Sequence, residues 1–257
     1  LLIPYGLMNA IGALSWHYLL LTKAGRPSLS RLFWLRLAGE SLNQLTPTAS
    51  MGGEPFKVVR LQAGGIPWEE AAASVVIQKG IMVLSLVLYI FLGLALTPLL
   101  LPGATGYLGL LSFGAVILAA LALAFLVVQH RNPCVSGIRL LEKIHLCPAG
   151  LKAREAECAN LDAWLSGFYR AHPRRGLLAF LLFFVSWLVH GVEVYLFFRL
   201  IGHPLDLSLA LCLDALTVLV AALGFMIPVS AGVQDVGTIV LSVGFNLGAA
   251  MGAAFSI

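Results

Sequence analysis

The sequence predicts an all-α, polytopic integral membrane protein with two inverted re-entrant hairpins, each made from a broken helix. Three observations carry this. First, the chain of 257 residues is 60% hydrophobic and only 11% charged, with a mean hydropathy of +0.94, whereas soluble domains carry roughly 25% charged residues. Second, apolar runs near the ~20 residues needed to cross a bilayer recur along the whole chain, which one signal peptide or anchor does not explain. Third, two of these runs are broken by proline and glycine with an acid close behind. Broken backbone frees amide and carbonyl groups that hydrocarbon cannot satisfy, so at membrane depth it must line a protein cavity.

Taken in order, Leu1 to Leu21 is long enough to span and ends near Trp16 and Tyr18, an aromatic pair suited to an interface. Lys23, Arg26, Arg31 and Arg36 follow. Phe33 to Leu45 is apolar but interrupted by Glu40, Asn43 and Gln44 and stopped at Pro47, too short and polar for a lipid-exposed span. Pro55 to Ala63 restarts as a helix, with proline in its first turn and Glu54 at its positive end. Two half-helices meeting at Gly52-Gly53 is the predicted arrangement.

Ala71 to Leu96 reads as a full span despite Gln78 and Lys79, and 97 to 107 as a short uncharged turn. Leu108 to Val128 spans again. The segment 129–175 is the longest polar stretch, with eight basic residues (Arg131, Arg139, Lys143, Lys152, Arg154, Arg170, Arg174, Arg175) against four acids (Glu142, Glu155, Glu157, Asp162). Leu177 to Leu200 spans and holds His190 and Glu193. An apolar run from Leu205 to Met226 then breaks at Pro228 and resumes near Val233. Leu247 onward is left unassigned. Residues 1–257 are read as one transmembrane domain, and the apolar runs at both ends predict a sequence that continues beyond them.

The two breaks resemble each other. Pro47-Thr-Ala-Ser-Met-Gly-Gly-Glu54 and Pro228-Val-Ser-Ala-Gly-Val-Gln-Asp235 both follow proline with small residues and place an acid seven residues on. Interrupted apolar segments in corresponding halves are the signature of inverted-repeat transporters, whose substrate sits at the repeat interface near the midplane. Charge bias supplies the sidedness. Lys and Arg accumulate on the cytoplasmic side in short loops. If the first interrupted segment is re-entrant, the basic stretches 22–36 and 129–175 fall on one face and the uncharged turn on the other, with Arg199 the exception. The segment 129–175 is therefore expected to be a basic cytoplasmic loop, and the second break to be approached from the outer face.

Ionisable groups inside spans cost roughly 2.5 to 3.5 kcal/mol each on insertion scales and so face cavities or partners. Glu54, Lys57, Arg60, Lys79 and Asp235 are the candidate substrate-binding residues. Glu54, Lys57 and Arg60 recur every three residues, on one helical face, where they suit a phosphate-bearing headgroup; the alternative is a helix-end acid with two snorkelling cations. Lys79 has three readings: contact with the headgroup, or pairing with Glu54 or with Asp235. Glu54 and Asp235 are expected to face each other across one central cavity. Secondary candidates are Asn43, Gln44, and His190 with Glu193. The last two stand one turn apart and suit either a proton relay or interhelical hydrogen bonding. Asp214 is expected at headgroup level, and Trp34, Trp68 and Trp164 as interface anchors. Cys134, Cys147, Cys158 and Cys212 form no C-x-x-C pair and are expected as free thiols. No metal site or cofactor is expected, and the modest net charge of +4, concentrated in two stretches, indicates a membrane-facing surface rather than nucleic-acid binding.

Gly39-Glu-Ser-Leu-Asn-Gln-Leu-Thr-Pro47, Gly52-Gly-Glu-Pro-Phe-Lys-Val-Val-Arg60, Ala71-Ala-Ala-Ser-Val-Val-Ile-Gln-Lys79 and Ile227-Pro-Val-Ser-Ala-Gly-Val-Gln-Asp235 together resemble the lysylphosphatidylglycerol synthase transmembrane-region family, also called the flippase-like domain family. Within it the resemblance is nearest to the hopanoid-biosynthesis-associated branch. The resemblance implies a multi-pass protein of the bacterial inner membrane that moves a lipid between leaflets. The family usually has an acid where this chain has Gln78 and a glutamate where it has Asp235; the basic position at Lys79 carries over.

The leading expectation is thus a flippase-like lipid translocase, acting without ATP because no Walker loop is present, on a lipid with a polar or anionic headgroup. The competing reading is a membrane scaffold that presents a lipid to a partner, such as a lipid-synthesising enzyme, through the basic loop. An enzyme acting on the headgroup ranks last, since no H-E-x-x-H helix, G-x-S-x-G elbow or aminoacyl-transfer domain is found.

Overall fold

The computed structural model describes residues 2–22, 26–45, 52–100, 105–129, 131, 133–143, 155–224 and 232–256. Among them are eleven helices: α1 (Leu2–Leu19), α2 (Leu29–Leu45), α3 (Gly53–Gln62), α4 (Trp68–Leu100), α5 (Thr105–Gln129), α6 (Pro133–Lys143), α7 (Glu155–Ala171), α8 (Pro173–Leu200), α9 (Leu207–Leu223), α10 (Val233–Gly244) and α11 (Ala249–Ser256). No strand occurs among the described residues. The protein is a polytopic all-α membrane protein. Three helices are long and apolar enough to cross a bilayer, at Trp68–Leu100, Leu108–Gln129 and Pro173–Leu200, with Leu207–Leu223 and Val233–Gly244 shorter apolar helices. At about 1.5 Å per residue, the 33 residues of α4 exceed the hydrocarbon thickness. α1 is not one of the three; Asn9 and His17 dilute its apolar run.

α4 is the axis, with more than half of its apolar window buried, and α1, α3, α5, α7, α8 and α9 all pack against it. One apolar core joins α1, α2, α4, α7 and α8 around Trp16, Leu32, Leu165 and Phe183. The other joins α4, α5, α8, α9 and α10 around Tyr89, Phe198, Leu216 and Leu241. Small residues let these helices approach. A Cβ added at Gly93 of α4 would lie 2.5 Å from that of Ala215 on α9, the close contact that small residues permit where lipid supplies no hydrophobic drive between helices. On the opposite side, α5 exposes Leu110, Phe113, Val116, Leu121 and Leu123. So large an apolar face marks a lipid-contacting surface.

Several expectations need adjusting. The turn expected at 97–107 is shorter, because α4 continues to Leu100 and α5 starts at Thr105. The polar segment 129–175 is largely helical: α6 and α7 pack on each other, and Leu161, Leu165 and Phe168 of α7 are buried in the core. Asp162 ties the two helices together, its carboxylate accepting the backbone N–H groups of Cys134 and Val135, each at 3.0 Å, at the start of α6. Trp16 is not an interface anchor; it is fully buried and its Nε1 donates to Ser74 Oγ at 3.2 Å. Trp34 is 63% exposed. The final stretch forms α11, which packs on α10 through Gly252. Pro47 to Met51 and Pro228 to Ala231, at the centres of the two sequence breaks, lie outside the described residues.

Candidate functional site

The half-helices α2 and α3 pack against each other, and both abut elements of the α4 core. Their contact is made by glycine. A Cβ on Gly53 would overlap the backbone carbonyl of Gly39, and a Cβ on Gly39 would overlap the Lys57 side chain. Gly39 therefore opens the channel in which Lys57 lies. Asn43 joins the two helices: its Oδ1 accepts the Gly53 N–H at 2.7 Å, satisfying one of the orphan donors at the start of α3, and its Nδ2 donates to Glu40 Oε2 at 3.3 Å.

Between α2, α3 and α4 a chain of ion pairs results. Lys57 Nζ lies 3.1 Å from Glu40 Oε1 and 3.5 Å from Glu54 Oε1, and Lys79 Nζ of α4 lies 3.2 Å from the same Glu54 oxygen. The side chains of Lys57, Glu54 and Lys79 are only 2%, 13% and 23% exposed. Of the three partners open to Lys79 in the sequence, the structure pairs it with Glu54. Glu54 Oε2 is buried with no hydrogen-bond partner among the described residues.

Arg36 of α2 lies one helical turn before Glu40 and is buried. Its guanidinium stands 5.3 Å from the centroid of the Phe183 ring and its Nη2 contacts Met82 Sδ at 3.8 Å. Nε and Nη1 have no hydrogen-bond partner among the described residues. Gly12 of α1 makes the room, since a Cβ there would fall 2.7 Å from the guanidinium carbon. Sequence reading placed Arg36 only in a basic stretch and missed it as a site residue, although a signal was present. The buried positions Leu32, Leu35, Arg36, Gly39 and Asn43 follow the 3-and-4 spacing of one helix face.

Of the remaining candidates, Arg60 is exposed at the end of α3, where its carbonyl accepts from Arg31 Nη2 at 3.2 Å. Asp235 lies in the first turn of α10 and is exposed; it makes no ion pair with the Glu54 group among the described residues. Gln44 belongs to α2 and its side chain lies outside the described residues.

A second polar group forms between α4, α8 and α9. His190 Nδ1 lies 2.9 Å from Asp214 Oδ1, and Tyr89 Oη donates to Asp214 Oδ2 at 2.7 Å. Asp214, expected at headgroup level, is 1% exposed in the core where α9 packs on α4 and α8. His190 is paired across helices with Asp214 rather than along its own helix with Glu193. Both His190 and Glu193 line a cavity of about 440 Å³ bounded by α8, α9, α10 and α11. Among the described residues, Cys134 and Cys158 of the α6–α7 pair and Cys212 of α9 belong to no disulfide, while Cys147 is outside the described residues. Burial, helped by the Asp162 and Cys158 neighbours, pushes the Cys134 thiol up to about 12.

The family model described as "Lysylphosphatidylglycerol synthase TM region" matches residues 1–257. The chain belongs to this family. The match spans the whole sequence, so the ion-pair chain at α2–α4 and the His190–Asp214 group both lie inside the transmembrane region that defines the family. As a member of the lysylphosphatidylglycerol synthase transmembrane region it is a membrane protein connected with lipid. No curated protein and no solved structure matches it.

Proposed function

We propose that the protein is a flippase-like translocase that moves a lipid with a polar or anionic headgroup between the leaflets of the bacterial inner membrane, without ATP. The observation that carries this reading is the ion-pair chain held between α2, α3 and α4. Three cations (Arg36, Lys57, Lys79) stand with two carboxylates (Glu40, Glu54), an excess of one positive charge. Charge buried within a membrane protein is costly and functional by default, and a chain of ion pairs with shared partners is suited to a headgroup phosphate that replaces Glu54 on Lys79 or Lys57. In this reading Glu54, Lys57, Lys79 and Arg60 bind substrate from the first hairpin, and Asp235 from the second. The two hairpins are re-entrant inverted copies, with the α6–α7 segment cytoplasmic.

The test is leaflet transfer of a fluorescent phosphatidylglycerol probe by full-length protein in vesicles, alongside mass spectrometry of copurifying lipid. Lys79→Ala and Glu54→Gln should each abolish transfer while leaving helix content intact. Transfer at the unaltered rate in both would sink the proposal.

One observation favours a second reading, a scaffold presenting lipid to a lipid-synthesising enzyme: α6, packed on α7, exposes the neighbouring Arg139 and Leu140. Deleting residues 133–143 would then abolish activity in cells and spare transfer in vesicles.

A further inference from the structure

Asp214 is a carboxylate deep between apolar helices; among the described residues its ion pair is with His190, and Glu193 lines the same cavity. The groups that face it are few. α4 contributes Tyr89, α8 contributes His190 and Glu193, and α1 brings Tyr5 to the cavity rim. α10 and α11 present uncharged Gln234, Thr238 and Ser256. On the α1–α2 side, the Arg36 guanidinium is engaged over Phe183, seven residues before His190 on α8.

With a neutral imidazole the His190–Asp214 pair carries one negative charge, and with one added proton it is net neutral, so the carboxylate beside the ring, acting against the cost of burying the imidazolium, favours uptake of a single proton. The path for that proton is visible. Asp214 is 2% exposed at its side chain, but His190 is 31% exposed, with Nδ1 on the carboxylate and the ring lining the cavity. A separate observation adds a polar group to the cavity wall: Thr238 is 1% exposed, lines the same cavity, and its hydroxyl has no hydrogen-bond partner among the described residues. A cavity of about 440 Å³ with such groups is roomy and polar enough to hold water.

We propose that His190 and Asp214 form a proton-binding site, held by Tyr89 and exchanging with the α8–α11 cavity, distinct from the Glu54 ion-pair chain. Its ligand is the proton, so it stands whichever lipid the protein moves. Tyr89 donates to Asp214 Oδ2, and the imidazole Nδ1 bridges both carboxylate oxygens, 2.9 Å from Oδ1 and 3.0 Å from Oδ2. On uptake, the proton adds to the free ring nitrogen of His190 while its Nδ1–H remains hydrogen-bonded to Asp214; on release the same N–H bond breaks toward the cavity.

The experiment is infrared difference spectroscopy on full-length protein carrying isotope-labelled histidine, in phosphatidylcholine vesicles, stepped from about pH 9 to about pH 5, the range that brackets imidazole titration. The expected result is a histidine-ring signal on acidification that is missing from His190→Gln. In Asp214→Asn it is displaced along the pH axis by about one unit or more, roughly a tenfold change in proton affinity. Ala221→Trp, which fills the cavity, should slow hydrogen–deuterium exchange of that ring. A wild-type spectrum with no such signal, the same spectrum from His190→Gln, or an unmoved titration in Asp214→Asn would each overturn the proposal. So would unchanged exchange in Ala221→Trp. The wild-type measurement needs no variant to fold.

Discussion

Lys57 is the side chain on which the first site depends. It is almost fully buried between two carboxylates, and removing one member of a buried pair leaves the other charge stranded. Lys57→Met should therefore destabilise the protein by about 3 kcal/mol, the low end for broken buried pairs because Glu40 keeps some exposure. Adding Glu40→Gln should recover much of that loss, which thermal unfolding in detergent can read as a double-mutant cycle. The outcome expected for an unimportant surface pair, additive and small effects, is the one that would refute this. Gly53 is equally constrained, because any Cβ there overlaps the Gly39 carbonyl. Gly53→Ala should cost about 1–3 kcal/mol through overpacking, measured in the same way, while alanine at Gly137, which has nothing near its Cβ position, should cost less.

At the scale of elements, the α6–α7 pair shows how a stretch that looks like a polar loop becomes structure. α7 buries Leu161, Leu165 and Phe168 and keeps its acids and arginine outward or capping. Asp162 then caps α6 from across the interface. Losing that cap in Asp162→Ala should cost about 1 kcal/mol and loosen α6. Cysteine reactivity reports the same event. With its thiol raised to about 12, Cys134 stays protonated at neutral and mildly alkaline pH, and the thiolate is the reactive form. Alkylation of Cys134 by iodoacetamide at about pH 8 should be slow beside a free thiol of ordinary acidity near 8.5, and should accelerate in Asp162→Ala. Equal rates in the two proteins would show that Asp162 neither buries nor perturbs the thiol.

At the scale of the whole molecule, the two polar groups occupy different cores: the Glu54 chain sits against α2–α4, and the His190–Asp214 pair sits in the α4–α8–α9 core. A long shared α4 holds Lys79 near the first and Tyr89 near the second, ten residues apart on one helix. For the proposed translocase, this arrangement predicts coupling between proton occupancy and lipid movement. In vesicles carrying the wild-type protein, an imposed pH difference should change the rate of phosphatidylglycerol-probe transfer, and Asp214→Asn should transfer at a rate indifferent to that difference. A gradient response retained in Asp214→Asn would place the coupling elsewhere.

Much of this was readable in the residues themselves. Composition and run length decided the all-α membrane class, because an apolar run of about 20 residues is the length at which a helix, satisfying its own backbone amides, crosses hydrocarbon. Proline and glycine punctuation located the start of α3 and the end of α2, and charge within apolar segments singled out Glu54, Lys57 and Lys79, which the structure pairs, along with Arg60 and Asp235, which it leaves exposed. Partner choice was not readable. Which acid meets Lys79, that Arg36 faces inward over Phe183, that His190 reaches Asp214 instead of Glu193, and that Trp16 is core rather than interface all depend on which helices lie side by side. A single helix determines only which residues share a face. What that face meets is decided by the packing of helices far apart in the chain.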